Sequence, residues 1–220
     1  MIVPDKTVRS KRKTLAVSID GFGEVTVHAP LKLSQDKIDA FLLEKEAWIR
    51  SKQAQRRATG ITRPTERLDG YVFLLLGKPC TIRLYDGNTI GYNSETGVLT
   101  LPTKNTEKRL KQWLKENALR ILTAVTNQTA TRMGVTHAGV TVASARTRWG
   151  TCSADNRIRY TFRLLYAPKE VIEYVVTHEL THVKHKNHSK AFWQEVAKYV
   201  PDWKARRSWL KAHGALMEIF

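Results

Sequence analysis

Near the N-terminus hydrophobic and polar positions alternate with a period of two. Leu15, Val17 and Ile19 alternate with small or polar residues, and Gly21-Phe22-Gly23 turns the chain into Val25 and Val27. This pattern predicts a β-hairpin within Thr7–His28. After Ser34, a good N-cap residue, the period lengthens. Ile38, Phe41, Leu42, Ala47, Trp48 and Ile49 define the buried side of one helix running to about Arg57. Thr59–Asp69 carries Gly60 and Pro64 and reads as a loop or linker. A second hairpin comes next, Tyr71–Leu76 and Thr81–Tyr85 around Gly77-Lys78-Pro79. Short strands near Thr89–Tyr92 and Val98–Leu101 are separated by Asn93-Ser94-Glu95-Thr96-Gly97. Glu107 to about Met133 reads as one long helix, with Leu110, Trp113, Leu114, Leu119, Ile121, Leu122 and Val125 mostly on one side and Gly134 ending it. Val140–Ala145 is a predicted strand leading into Trp149-Gly150-Thr151-Cys152, and Ile158–Leu165 is expected to run back antiparallel to it. In Val171–Val183 the apolar residues recur at steps of three and four, predicting a buried amphipathic helix with Pro168 as an early helical residue.

The change from period two to period 3.6 predicts an α+β fold. Residues 1–102 form a β-rich N-terminal lobe with one helix, and residues 103–220 a second lobe with a small antiparallel sheet over the last-named helix. No internal repeat or low-complexity tract interrupts the pattern.

Composition narrows the classes. With 220 residues, 42% of them hydrophobic, the chain can build a real core. Its longest apolar run, Tyr71–Leu76, is far too short to span a bilayer, so no membrane partner is expected. Met1–Lys13 is basic but lacks the apolar centre of a secretory signal. Two cysteines, Cys80 and Cys152, make neither a disulfide framework nor a metal-type pair, and a cytoplasmic location is the expectation. The formal charge of +17 favours acidic or polyanionic partners. Its clusters (Arg9 to Lys13, Arg50 to Arg57, Lys104 to Lys111, Lys204 to Lys211) are scattered and accompany no nucleic-acid motif, leaving non-specific nucleic-acid affinity as the most that charge alone implies.

The chemistry lies in His178-Glu179-Leu180-Thr181-His182. Positions i and i+4 share a helix face, so His178 and His182 can aim two imidazole nitrogens at one point. Glu179 sits roughly 100° round the helix, placed to lean over the open side of an ion rather than to ligate it equally. This is the H-E-x-x-H arrangement of zinc hydrolases. A catalytic zinc takes three protein ligands and leaves a position for water. His188 is the favoured third ligand, which requires the helix to break between Val183 and Asn187. Asn187 would take a left-handed conformation, and Ser189 would cap the next helix. His185 is a rival, one helical turn on, and Glu195 a weaker candidate. His28, His137 and His213 stand alone and are read as non-ligands.

Arg146-Thr147-Arg148-Trp149-Gly150-Thr151-Cys152-Ser153, the His178–His182 motif and Asn187-His188-Ser189-Lys190-Ala191-Phe192-Trp193 together resemble the YgjP-like zinc metallopeptidases, which are similar to SprT-like proteases. The resemblance runs from about Val8 to Gly214. It implies a zincin-like metallopeptidase lobe, one Zn2+ per chain, protein or peptide substrates, and an endopeptidase in preference to an exopeptidase. Matched motif to motif, the third zinc histidine falls on His188. The metzincin pattern fits poorly, because His185 replaces its glycine and the only later methionine is Met217.

The mechanism expected is hydrolysis by a zinc-bound water with Glu179 as general base. Tyr160, Arg163, Tyr166, Tyr199 and His213 are open choices for stabilising the oxyanion. Arg148 and Trp149 have two readings: a tight turn with Trp149 as a buried plug, or part of a substrate groove beside a strand that pairs with an extended peptide. Cys152 reads as a small buried thiol before a fourth ligand. Trp193, Trp203 and Trp209 are expected to pack the last helices onto the helix that carries His178 and His182. Two rival functions carry the same motif: a SprT-like protease acting on nucleic-acid-bound proteins, and a non-catalytic basic module with a structural zinc.

Overall fold

A computed structural model describes residues 2–61, 64, 68–217 and 219. Among them the fold is α+β, with three small sheets and six α-helices. The chain divides into two compact units, residues 1–63 with 212–218 and residues 64–211 with 219–220. The division therefore falls well before the 102/103 boundary expected from the pattern. The reason is visible in the second unit, where the strands of residues 72–102 are fastened to the segment around Leu165 and Tyr166.

In the first unit, β2 (Ala16–Ile19) and β3 (Val25–Pro30) form the expected antiparallel hairpin. Asp20 Oδ1 accepts from the backbone N–H groups of Phe22 and Glu24, closing the turn where Gly23 takes φ +92°. The earlier strand β1 (Lys6–Ser10) lies parallel to β3 on its other side. The single helix expected from Ser34 is instead two, α1 (Gln35–Glu44) and α2 (Glu46–Arg57), meeting at Lys45. Ser34 stands at the N-cap, but its hydroxyl makes no capping bond. Val25, Val27, Ala29, Ile38, Leu42 and Ile49 form this unit's core. Trp48 stays 45% exposed and Ala47 is exposed too, because a helix that buries Ile49 turns its neighbours outward. Of the linker expected over Thr59–Asp69, residues 62, 63 and 65–67 lie outside the described residues.

The second unit opens with β4 (Val72–Leu75) and β5 (Lys78–Tyr85), an antiparallel pair joined through Leu76 and Gly77, both at positive φ. Lys78 and Pro79 thus belong to the strand rather than to the turn. β7 (Val98–Pro102) runs parallel to β5, and β6 (Gly91–Asn93) closes the order β4-β5-β7-β6. The Leu76 N–H donates to the Leu165 carbonyl at 2.6 Å, and Phe73 meets Tyr166 edge-on at 5.9 Å. Helix α3 (Thr106–Met133) buries Leu110, Leu114, Ala118 and Leu122 at steps of four and ends at Gly134 with φ +63°. Leu119, one position off that stripe, is 45% exposed rather than buried.

The last sheet departs from expectation. β8 (Gly139–Ala143) pairs parallel, not antiparallel, with β10 (Arg157–Thr161), and β9 (Gly150–Cys152) supplies the antiparallel neighbour. Asn156, at φ +60°, turns the chain from β9 into β10. Residues 162–166 form a 3-10 turn, with the Thr161 side chain accepting from the Arg163 N–H, instead of continuing the strand. Helices α4 (Lys169–Lys184), α5 (Lys190–Tyr199) and α6 (Trp203–Ala212) come after it. Pro168 stands at the N-cap of α4 rather than inside its first turn. A Cβ on Gly77 would lie 2.8 Å from the Pro168 backbone, so the β4–β5 turn abuts the start of α4.

Candidate metal centre

Helix α4 is buried on nearly every side, through Val171, Ile172, Val175, Val176 and Leu180 and also Thr177, Glu179 and Thr181. His178 and His182 project from it one turn apart, their ring centroids separated by 5.1 Å. After Lys184 the helix stops. The His185 backbone is extended, and the Asn187 side chain accepts from the Ser189 N–H at 3.3 Å. The break falls where expected, but Asn187 is not left-handed; its side-chain acceptor makes the turn instead. Ser189 then caps α5 by accepting from the Phe192 N–H.

This turn returns His188 to the other two histidines. One ring nitrogen from each of His178, His182 and His188 lies within 4.8 Å of the others. His188 Nε2 is 3.1 Å from His178 Nε2. A tetrahedral zinc with bonds of about 2.05 Å holds its ligand nitrogens about 3.3 Å apart, so this approach fits one ion. His182 Nδ1 lies 3.0 Å from the His185 carbonyl, which can only accept, so Nδ1 carries the proton and Nε2 keeps a lone pair for metal. His185 thus contributes its backbone to the site. Burial first, then the neighbouring His182 and His188 and the Arg207 charge, pushes His178 down to about 3. Burial also lowers His182. Neutral imidazoles are what a divalent ion requires.

Phe192 is fully buried, with its ring 4.6–4.9 Å from all three imidazoles. It forms an apolar floor beneath them. Glu179 is 6% exposed, and burial pushes its carboxyl up to about 8. Against it lies β9. A Cβ built on Gly150 would stand 2.7 Å from Glu179 Oε1 and 2.9 Å from Cδ. Only the missing side chain of Gly150 lets the strand pass this close.

The YgjP-like, metallopeptidase domain family matches residues 13–213. The chain belongs to that family. Among solved structures, the metallopeptidase zymogen abylysin of Pyrococcus abyssi is similar over 40% of this chain and 90% of its own, at 22% identity and a TM-score of 0.38. The zymogen jannalysin of Methanocaldococcus jannaschii is similar over 41% and 91%, at 19% identity and a TM-score of 0.37. No curated protein matches the chain.

The remaining expectations for this YgjP-like chain sort on geometry. Glu195 is tied to Lys184 at 3.0 Å, and neither it nor the Cys152 thiol joins the histidine cluster among the described residues. Trp149 is half-buried and Arg148 exposed, so Trp149 is no core plug. The Tyr160 hydroxyl bonds with Thr126 at 3.1 Å, and the Arg163 guanidinium donates to the Ser144 and Ile219 carbonyls. Tyr166 is fully buried between Phe73 and Phe162. Trp193 and Trp203 stack at 4.2 Å, joining α5 to α6, and Trp193 also reaches α4, 5.7 Å from the His178 ring. Sequence reasoning missed the Phe192 floor, the Gly150 contact and the nearby charge of Arg207. Glycine inside a strand pattern was the one available signal for Gly150.

Among the described residues no helix is long and apolar enough to cross a membrane.

Proposed function

We propose that this chain hydrolyses internal peptide bonds as a zinc-dependent metallopeptidase with a zincin-like lobe. His178, His182 and His188 hold one zinc ion per chain, and Glu179 is the general base. The observation that carries this reading is the convergence of three imidazole nitrogens beside a buried carboxylate one residue along the same helix. Three histidines leave a coordination position free, which suits a catalytic rather than a closed structural site. Bound there, zinc supplies Lewis acidity that polarises a peptide carbonyl and acidifies water.

The chain's own groups do the rest. Glu179 takes a proton from the attacking water as its oxygen bonds to the carbonyl carbon. The carboxyl then gives that proton to the amine nitrogen as the C–N bond breaks. Burial favours the protonated carboxyl, the form that returns a proton to the leaving amine. β9 is the end strand of its sheet, so an extended substrate can pair along it past Arg148 and Trp149, which favours internal bonds. Neither rival function has an observation in its favour beyond the net charge of +17.

The test is chelation and reconstitution. Casein cleavage should disappear after dialysis against a chelator and return with stoichiometric zinc, with internal fragments as products. Cleavage that survives complete zinc removal, or products limited to single terminal residues, would refute it.

A further inference from the structure

Arg206 and Arg207 are neighbours on α6 with opposite circumstances. Arg206 is saturated: it donates to Asp202 at 2.9 Å, to Glu173 at 3.2 Å and to the Glu170 carbonyl at 2.7 Å. Arg207 has no carboxylate partner among the described residues, and neither have Lys204 and Lys211. Lys204, Arg207, Ser208 and Lys211 share one exposed helix face at steps of three and four. Together with Trp203 they line a surface concavity of about 390 Å³.

Ring contacts through Trp193 link this basic concavity to the metal centre. The Arg207 guanidinium lies 5.3 Å above the Trp193 ring. Trp193 in turn stacks against His188 at 5.7 Å and lies 5.7 Å from His178. On its other side it stacks on Trp203, over which Lys204 sits at 5.7 Å. A guanidinium within cation–π range of an indole is held near it while its N–H groups remain able to fork onto a carboxylate.

We infer that the α6 face of Trp203, Lys204, Arg207 and Lys211 is a substrate subsite that recognises acidic side chains of a peptide, with Arg207 as the specificity-determining residue. The inference rests on the proposed peptidase function and names its substrate class: peptides with Glu or Asp close to the scissile bond. Charge complementarity selects the occupant, and the link through Trp193 to His188 favours a peptide held for cleavage over a polyanion bound elsewhere on the surface.

The test separates binding from turnover. Zinc-loaded Glu179→Gln protein is titrated with a fluorescein-labelled peptide carrying two glutamates beside an apolar centre, and with its two-glutamine counterpart. Polarisation gives affinity, and quenching of tryptophan emission gives location. The glutamate peptide should bind about tenfold or more tightly at low salt. That preference should fall to near parity when Arg207→Ala is added, and recover only in part with Arg207→Lys. Wild type should show the same preference in kcat/KM. Zinc content and melting temperature of the Arg207 variants are measured alongside; if Arg207→Ala does not fold, Lys204→Ala with Lys211→Ala serves, with a smaller loss of preference expected. Equal affinity for the two peptides overturns the inference, even where wild type cleaves both in a zinc-dependent manner and the peptidase reading stands. A glutamate preference that depends on Arg207 in a protein unable to cleave supports the binding site and removes the peptidase reading. A single-stranded oligonucleotide that displaces both peptides, with no preference between them, assigns the face to phosphate and also overturns it.

Discussion

At the residue scale the site is built from side chains whose surroundings suit one job each. His182 has its tautomer set by the His185 carbonyl, while His185 keeps its own ring out of the cluster. Removing a ligand should therefore differ from removing a neighbour. His178→Ala and His182→Ala are expected to lose zinc outright. His188→Ala should weaken binding by more than the roughly 10–100-fold typical of outer-shell changes, and His185→Ala should leave it nearly intact. Zinc content after dialysis against a weak chelator checks this, and equal content in His188→Ala and wild type would remove His188 from the set. Gly150 makes a second case, because any side chain there must displace the Glu179 carboxylate. Gly150→Ala should keep zinc but lose on the order of 10²-fold in kcat, the scale of a 1 Å misplacement. An unchanged kcat would mean that Glu179 is positioned by something else.

Cys80 offers a residue-scale test of the core. Burial alone raises its thiol to about 12 from an ordinary 9.0. The folded state thus keeps a proton that the unfolded state releases, and Cys80's contribution to stability falls as pH rises from about 9 toward 12. At pH 8.5 a thiol reagent should modify half-buried Cys152 first and reach Cys80 only in denaturant. Rapid modification of both thiols in native protein would contradict the burial.

At the element scale, function depends on how α4 ends and α5 begins. Ser189 accepts from the Phe192 N–H, fixing both the α5 start and the ring beneath the imidazoles. Ser189→Ala should cost about 1 kcal/mol of stability and weaken zinc retention, whereas Ser189→Asp should preserve both. Denaturant midpoints with zinc titration would decide it. This stretch was legible in the sequence because its signals are local: the i, i+4 spacing, the apolar period of α4 and a capping serine. The parallel pairing of β8 with β10 was not legible. Both strands alternate properly, and alternation says which face is buried without naming the neighbour across the ladder. For the same reason the break at Lys45 escaped notice, since the apolar period continues through it.

For the whole molecule, the α+β class came from the change of period, but the place where the chain divides did not. Residues 72–102 look like a continuation of the N-terminal β-rich segment, yet the Leu76–Leu165 hydrogen bond and the Phe73–Tyr166 contact commit them to the unit that carries α4. Those are pairings over long sequence separation, which a local pattern does not encode. The central claim is that the unit holding α4 hydrolyses peptides with Glu179 as its base, and one measurement bears on it most directly. Wild type and Glu179→Gln, each loaded with zinc to equal occupancy, are compared for cleavage of casein and of acidic peptides. Near-equal zinc content and a loss of about 10²–10⁴ in turnover are expected for Glu179→Gln. Turnover that persists undiminished at equal zinc occupancy would contradict the claim.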